Sequence, residues 1–310
     1  MAFTAADVKK LREMTNVGMM DCKKALTEAD GDFDKAIELL REKGLAKAAK
    51  KADRIAAEGV VCATVCDDCG VGAIIEVNSE TDFVAKNADF QQFVADLAGV
   101  VMKEAPADVE ALKACKMGDL TVQEVLQEKV LTIGENIQIR RFDRFDESTV
   151  NVAYTHMGGV IGVLVGLQVS DNLKGNATVK ELGKDIGMQA AAMNPSFMDK
   201  SEVDEATLAK EKEILLIQAL EENKNVAKPK PEQIIHKMVE GRIGKYYEEN
   251  CLLQQAFVKE NKVSVEQHIA AVAKELGGEI KLVKCVRFEK GEGIEKKQDD
   301  FAAEVASMAK

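Results

Sequence analysis

The chain has 310 residues, of which 46% are hydrophobic and 31% charged, and its net charge is -11. This length suits two or three domains of a globular protein. The negative charge argues against a broad nucleic-acid footprint but permits a basic protein partner. No apolar run reaches the ~18 residues of a membrane span, and no secretory signal is expected at the N-terminus. Seven scattered cysteines suit a reducing cytosol.

Residues 1–45 are predicted to form a small domain of three helices, and Gly44 is predicted to end the third. Met19 and Met20 are adjacent on the second helix and point about 100° apart, so both can hardly face one small core. An exposed methionine suits an adaptable contact surface, although burial of both remains an alternative. A linker helix with a basic, solvated face is predicted over 46–58.

From residue 59 the pattern changes to strands and predicts a small unit that occurs twice. In the first copy, over 59–147, a hairpin is followed by a helix and a returning strand. The second copy, over 148–290, repeats this order, and its Phe257-Val258 echoes Phe83-Val84. The predicted fold class is therefore α+β, with a duplicated core of antiparallel sheet and helix.

Two further segments are predicted outside the repeated pattern. Over about 199–250 the strand signal vanishes, and two helices joined by a polar turn are predicted to form a protruding hairpin. The hairpin can be self-contained or can carry a partner or dimer contact. Residues 291–310 lead into an amphipathic helix whose apolar stripe contains Phe301, Val305 and Met308. So short a helix must dock on this protein or on another.

The sequence contains no pattern typical of a catalytic or metal site. The three histidines fall on three different predicted elements, and no phosphate-binding loop is present. Cys62, Cys66 and Cys69 form the only cysteine cluster. Incidental thiols are favoured there over zinc, because no fourth ligand is evident. We therefore predict a binding protein rather than an enzyme, without cofactor or metal.

The most informative stretch joins the second predicted strand to a helix and reads Asn78-Ser79-Glu80-Thr81-Asp82-Phe83-Val84-Ala85-Lys86-Asn87. It places an acid beside an aromatic side chain where the strand has just ended. Phe83 can fold back into the core, the usual fate of phenylalanine, or project as a wedge into a partner. The residues alone leave both interpretations open.

From Thr81 to Asn87 this stretch resembles the bacterial elongation factor Ts family. Four other segments are similar to motifs of the same family: Asn16-Val17-Gly18-Met19-Met20-Asp21-Cys22-Lys23-Lys24-Ala25-Leu26, Gly134-Glu135-Asn136-Ile137, Met238-Val239-Glu240-Gly241-Arg242 and Gly291-Glu292-Gly293-Ile294-Glu295. The match is collinear and covers nearly the whole chain.

The resemblance implies a cytoplasmic nucleotide exchange factor for the GTPase elongation factor Tu. It also implies a ubiquitin-associated-like N-terminal domain, a helical hairpin and a C-terminal helix. In the family an Asp-Phe pair inserts between two helices of the GTPase domain near its magnesium site. The matching segment here is Thr81, Asp82, Phe83 and Val84, with Asp82 and Phe83 as the pair.

Other contacts with elongation factor Tu are implied by the resemblance for Arg12, Met19, Met20, His156, Val305 and Met308. The hairpin leaves open a homodimer or a dimer of heterodimers. A different hypothesis is a non-catalytic adaptor, in which the N-terminal module binds another protein and the core only displays it.

Overall fold

The computed structural model describes residues 3–15, 17–51, 53–224 and 229–295, with the backbone alone for 45–50. The fold is α+β, as predicted. The predicted C-terminal helix, which includes Val305 and Met308, lies outside the described residues. Within those residues, no helix has both the length and the apolar composition needed to cross a membrane.

The N-terminal module contains three helices: α1 Ala5–Thr15, α2 Met19–Glu28 and α3 Phe33–Lys51. The predicted end of α3 at Gly44 is wrong, because the helix continues to Lys51. Residues 46–51 of the predicted linker helix therefore belong to α3, and residues 53–57 are not helical. Gly44 does not take the left-handed conformation of a helix end. It is buried, and a β-carbon there would lie 3.5 Å from Leu131 of the core.

The core contains two copies of one unit. The first copy consists of β1 Glu58–Val65, β2 Gly72–Ser79, α4 Asp82–Ala85, α5 Ala88–Glu104, α6 Val109–Ala114, β3 Lys116–Met117, β4 Leu120–Thr121, α7 Val122–Ile133 and β5 Gln138–Phe145. The second copy consists of β6 Val150–His156, β7 Ile161–Val169, α8 Ala177–Met193, β8 Ala256–Phe257, β9 Glu260–Ser264, α11 Val265–Leu276 and β10 Ile280–Glu289. The predicted hairpin is inserted after α8 and consists of α9 Glu205–Lys224 and α10 Glu232–Asn250.

Each copy contributes one three-stranded antiparallel sheet, in the orders β1-β2-β5 and β6-β7-β10. The helices α5 and α7 cover one face of the first sheet, and α8 and α11 cover one face of the second. The other two faces pack together around Ile74, Phe145 and Leu164. The result is four layers, in the order helix, sheet, sheet, helix.

The structure corrects the sequence echo between the two copies. Phe257 is buried in β8, and β8, β9 and α11 repeat β3, β4 and α7 in order and pairing. The counterpart of the Phe83 segment follows β7 instead, where residues Asp171–Leu173 form a short 3-10 turn. Asn172 therefore stands where the first copy has Phe83. The short sequence echo did not give this correspondence, which the helix starts fix: Thr81 and Asn87 in the first copy match Ser170 and Asn176 in the second.

A fully buried carboxylate, Glu76, lies in the central strand of the first sheet. Its oxygens accept hydrogen bonds from Asn78 Nδ2 at 3.1 Å, Arg140 Nη1 at 2.9 Å and Arg141 Nε at 2.6 Å. The Gly291 backbone amide donates a fourth, at 2.8 Å. These four bonds use the acceptor capacity of one carboxylate. Glu76 thus joins β2, β5 and the chain segment that follows β10.

We expect Glu76→Ala to lower the free energy of unfolding by about 3 kcal/mol, because it leaves the partly buried Arg140 without its counter-charge and Arg141 with Glu292 alone. Chemical denaturation followed by circular dichroism measures this. The matched control is Glu110→Ala, which removes an exposed glutamate paired with Lys113 and is expected to cost less than ~1 kcal/mol. Equal effects of the two substitutions would contradict the structural role of Glu76.

Candidate partner-binding site

The segment between β2 and α5 is built from two consecutive helix starts. The Thr81 hydroxyl caps the single turn α4 by accepting a hydrogen bond from the Val84 amide at 3.4 Å. The Asn87 side chain then caps α5, accepting from the amides of Asp89 at 2.8 Å and Phe90 at 3.2 Å. Capping side chains satisfy backbone donors that a helix start leaves free. The segment 79–87, which we name the Asp-Phe loop, therefore has a fixed backbone.

A carboxylate from a distant part of the chain holds the start of this loop. Glu135 Oε2 accepts hydrogen bonds from the Thr81 amide at 3.0 Å and the Glu80 amide at 3.1 Å. Its Oε1 accepts from the Thr81 hydroxyl at 2.6 Å. In return, the Glu80 carboxylate accepts from the Asn136 amide at 2.6 Å. Hydrogen bonds to a charged acceptor are the stronger kind, so this reciprocal clamp orders the loop before any partner arrives.

Phe83 projects from the clamped loop into solvent, with 82% of its surface exposed. Its neighbours point the other way, since Ala85 is buried and Val84 packs against the core beneath α5. The interpretation of Phe83 as a core residue is therefore wrong. An aromatic side chain exposed on an ordered turn contributes little to folding, and it is available for burial by a partner.

Asp82 lies beside Phe83 and is held by an ion pair with Lys86, at 2.6 Å between Oδ2 and Nζ. The hydrogen bond from Lys86 lowers the pKa of the Asp82 carboxyl, and the nearby charge of Lys290 acts in the same direction. The pKa of Lys86 is raised in turn by its hydrogen bond to Asp82. Both groups therefore stay charged at neutral pH, and a partner that engages either one must compete with the other.

The second copy lacks this arrangement at each position. Asn172 replaces the aromatic residue. Glu135 follows Gly134, the glycine that ends α7, and Gly278 follows Gly277, the glycine that ends α11. Gly278 therefore occupies the position of the clamping glutamate. A β-carbon at Gly278 would lie 2.5 Å from Ser170 Oγ, and this hydroxyl accepts a hydrogen bond from the Glu279 amide at 3.0 Å. A side chain the size of glutamate thus has no room there, and only the first copy presents a clamped aromatic loop.

A cleft of about 590 Å³ separates the Asp-Phe loop from the N-terminal module. Phe83 and Asn87 line one side, Thr15 of the N-terminal module lines another, and α7 forms the floor with Lys129 and Thr132. The loop and the module therefore face a common depression on the surface.

The predicted contact residues of the N-terminal module are all exposed. Met19 and Met20 have 42% and 63% of their surfaces exposed, so burial of both in the small core is wrong. Arg12 is exposed on α1. The core of the module is formed without them, by residues that include Leu11, Cys22 and Leu26.

His156 lies exposed at the end of β6, and its ring stacks on Tyr154 with centroids 6.1 Å apart. The hairpin that it begins is attached to β1, where the Val61 amide donates to the Gly159 carbonyl at 2.8 Å. Because the start of β1 pairs with Ser79 at the end of β2, His156 and the Asp-Phe loop lie at the same end of the two sheets. Val305 and Met308 cannot be placed, since they lie outside the described residues.

Two residues of the site were not predicted as such. Lys86 follows Asp82 at a spacing of four residues, the separation at which opposite charges meet on a helix, and this signal could have identified it. Glu135 was read only as the residue before a strand. Its sequence separation of 54 residues from Thr81 left no local signal for the clamp.

Comparisons with known proteins place the chain in a family. The family model described as Elongation factor TS matches residues 80–292. Elongation factor Ts of Clostridioides difficile is 50% identical over 309 residues, with 99% of both chains covered. The proteins of that name from Nitratiruptor sp. and Syntrophotalea carbinolica are 48% and 49% identical over the full length of both chains. By its matched domain and its full-length similarity to these bacterial proteins, the chain belongs to the elongation factor Ts family.

Proposed function

We propose that this protein is a guanine-nucleotide exchange factor that binds the translational GTPase elongation factor Tu and promotes release of GDP and Mg²⁺. The observation that carries the proposal is Phe83, exposed on a loop whose backbone is already clamped by Glu135. A wedge must be rigid to displace a packed element of its partner. Membership of the elongation factor Ts family supports the same role, and a cytoplasmic location accompanies it.

Exchange by such a protein is a matter of thermodynamic linkage. GDP and its Mg²⁺ stabilise one arrangement of the GTPase. A protein that binds the nucleotide-free arrangement more tightly lowers the affinity for nucleotide, and nucleotide weakens its own binding by the same factor. In this proposal Asp82 and Phe83 insert between two helices of the GTPase domain near the magnesium site. The chain needs no cofactor of its own for that role.

The magnitude of the wedge effect can be bounded. Burying one phenylalanine contributes about 1.5–3 kcal/mol, which corresponds to one to two decades in affinity at ~1.4 kcal/mol per decade. Since the clamp orders the loop in the free protein, little of that energy is lost to ordering on binding. Larger effects require a wider footprint. We propose that Arg12, Met19, Met20 and His156 extend it.

The helical hairpin is proposed as a second contact region, used with another copy of the chain or with the GTPase. Its helices bury Ala219, Ile235 and Val239 between them, yet Ile217 and Ile234 remain exposed. If this face forms a dimer, Ile217→Lys will convert the protein to a monomer in sedimentation experiments. A wild-type monomer at micromolar concentration would exclude the dimer.

The adaptor hypothesis keeps one observation in its favour, the exposed pair Met19 and Met20. Affinity capture from a bacterial lysate separates the two hypotheses. Elongation factor Tu as the dominant partner supports exchange. A different dominant partner, lost in the Met20→Glu variant, supports the adaptor.

We expect Phe83→Ala to slow release of a fluorescent GDP from elongation factor Tu by about 10- to 100-fold relative to wild type. This range corresponds to the free energy gained by burying one phenylalanine. The melting temperature is expected to change little, because the side chain is already in solvent. Lys180→Ala is the control, since Lys180 is also exposed and lies near the start of α8, at the end of the second sheet away from His156. It is expected to leave the exchange rate unchanged. A Phe83→Ala protein that exchanges like wild type would refute the wedge.

We expect Glu135→Ala to reduce the exchange rate by about tenfold, or ~1.4 kcal/mol, although Phe83 is still present. The substitution removes three hydrogen bonds from the start of the loop, so part of the binding energy is then spent on ordering it. Amide hydrogen exchange should become faster at Glu80 and Thr81. Glu147→Ala removes an exposed glutamate from the β5–β6 turn and serves as the control. Faster amide exchange without any loss of activity would show that loop order is not needed.

A further inference from the structure

The turn between β1 and β2 carries two thiols that the proposed function does not use. Cys66 is half-buried where β1 ends, and Cys69 is exposed three residues later. The Cys69 backbone amide donates a hydrogen bond to Cys66 Sγ at 3.3 Å. The turn is at the opposite end of β2 from the Asp-Phe loop, so these thiols are remote from Phe83.

The turn is tight and well anchored. The Gly70 amide donates to the Cys66 carbonyl at 2.9 Å, and the Cys66 amide donates to the Val71 carbonyl at 2.8 Å. Asn151 of the second sheet donates to the Gly70 carbonyl at 2.8 Å. The bond from Gly70 to Cys66 closes a single α-turn, in which residues three apart lie on the same side about 5–6 Å from each other, within the Cα range of about 4.4–6.8 Å that disulfides span. Cys66 Sγ already lies 3.3 Å from the Cys69 backbone nitrogen. The two sulfurs can therefore be joined with little movement of the backbone.

The two thiols also have different acidities. The hydrogen bond from the Cys69 thiol, with a smaller contribution from the Cys69 amide, lowers the pKa of Cys66. The same bond raises the pKa of Cys69. Burial raises the pKa of Cys62, and it raises that of Cys285 to about 12. Since the thiolate is the reactive form, Cys66 is the better nucleophile of these four.

We propose that Cys66 and Cys69 form a reversible dithiol–disulfide site that exchanges with small disulfides such as glutathione disulfide. The Cys66 thiolate attacks one sulfur of glutathione disulfide, breaks its S–S bond and releases one glutathione thiolate. The Cys69 sulfur, on losing its proton, attacks Cys66 in the mixed disulfide and releases the second glutathione. The two protein thiols lose two electrons, glutathione disulfide gains them, and the two released glutathiones take up both protons.

A metal site is the competing use of such a pair. Across the part of the chain that the structure describes, no group of three or more His, Cys, Asp or Glu side chains is arranged to hold a metal. Cys62 does not complete a set, because it packs against the apolar core beneath α5. The pair therefore has the geometry for disulfide exchange and lacks further ligands for zinc.

The test treats the reduced full-length protein with glutathione disulfide under anaerobic conditions and follows its intact mass. We expect the mass to fall by about 2 Da, as one disulfide forms and no glutathione stays bound. Peptide mapping should place the bond between Cys66 and Cys69, and dithiothreitol should reverse it. In Cys69→Ser the second step is blocked, so the protein should retain one glutathione on Cys66, a gain of about 305 Da.

Cys62→Ser is the control and should behave like wild type. A lasting glutathione adduct on the wild-type protein, a disulfide that involves any other cysteine, or no reaction would each overturn the proposal. Stoichiometric zinc that is released when these two thiols are blocked would also overturn it. GDP release from elongation factor Tu is measured in parallel, so a failure of the exchange function is recorded separately from a failure of the thiol site.

Discussion

The buried carboxylate of Glu76 is the interaction on which the rest of the core depends. A charge in a sheet interior is stable only if it is paired and fully hydrogen-bonded, and Glu76 achieves this with partners from three separate parts of the chain. One of these partners is the Gly291 amide. Gly291 has a φ of +68°, and a β-carbon there would lie 2.1 Å from the Ala57 carbonyl oxygen. Only glycine fits this position. The carboxylate and the glycine together therefore hold the segment that follows β10 against the first sheet.

This arrangement also explains a departure from regular strand geometry. Alternation along β5 would put Arg140 and Arg141 on opposite faces of the sheet. The register between β2 and β5 shifts between Glu76 and Val77, so that Arg140 and Arg141 both lie opposite Glu76. Such a bulge places two residues of one strand against one of the other. The bulge allows both guanidinium groups to reach the same carboxylate.

The fold was largely predictable from local pattern. Helix starts are readable from sequence because capping depends on residues three apart, and Thr121-x-x-Glu124 and Ser264-x-x-Gln267 both form capping boxes. The predicted order of hairpin, helix and returning strand is found in both copies, because continuous apolar runs mark the buried strands. The end of α3 was missed because Gly44 serves close packing against Leu131 rather than chain reversal. The bulge was also missed, since it depends on a partner 64 residues away.

The candidate site was only partly predictable, because sequence periodicity indicates which side chains are exposed on helices and strands but not on a single turn. An alternating or helical pattern reports which residues face the core, but Phe83 sits on a single turn where no period applies. The pattern therefore left its direction open, and only the resemblance favoured a wedge. What directs Phe83 outward is the capping of α4 by Thr81 and the burial of Ala85 on the other side of the turn.

The two copies of the unit show which features are structural and which serve the site. Both copies keep the strand order and the bulge in the returning strand, which in the second lies between Leu282 and Lys284. The charged residues differ. Gly166 occupies the β7 position that corresponds to Glu76, and Gly278 corresponds to Glu135. The architecture of the unit can therefore be built without either carboxylate, although the first copy, whose two arginines bond Glu76, depends on it. In the first copy, Glu76 anchors the returning chain and Glu135 orders the loop, and both actions converge on the end of the sheet where Phe83 is presented. The two copies thus share one scaffold, and the charges on the first copy order the edge from which Phe83 projects into solvent.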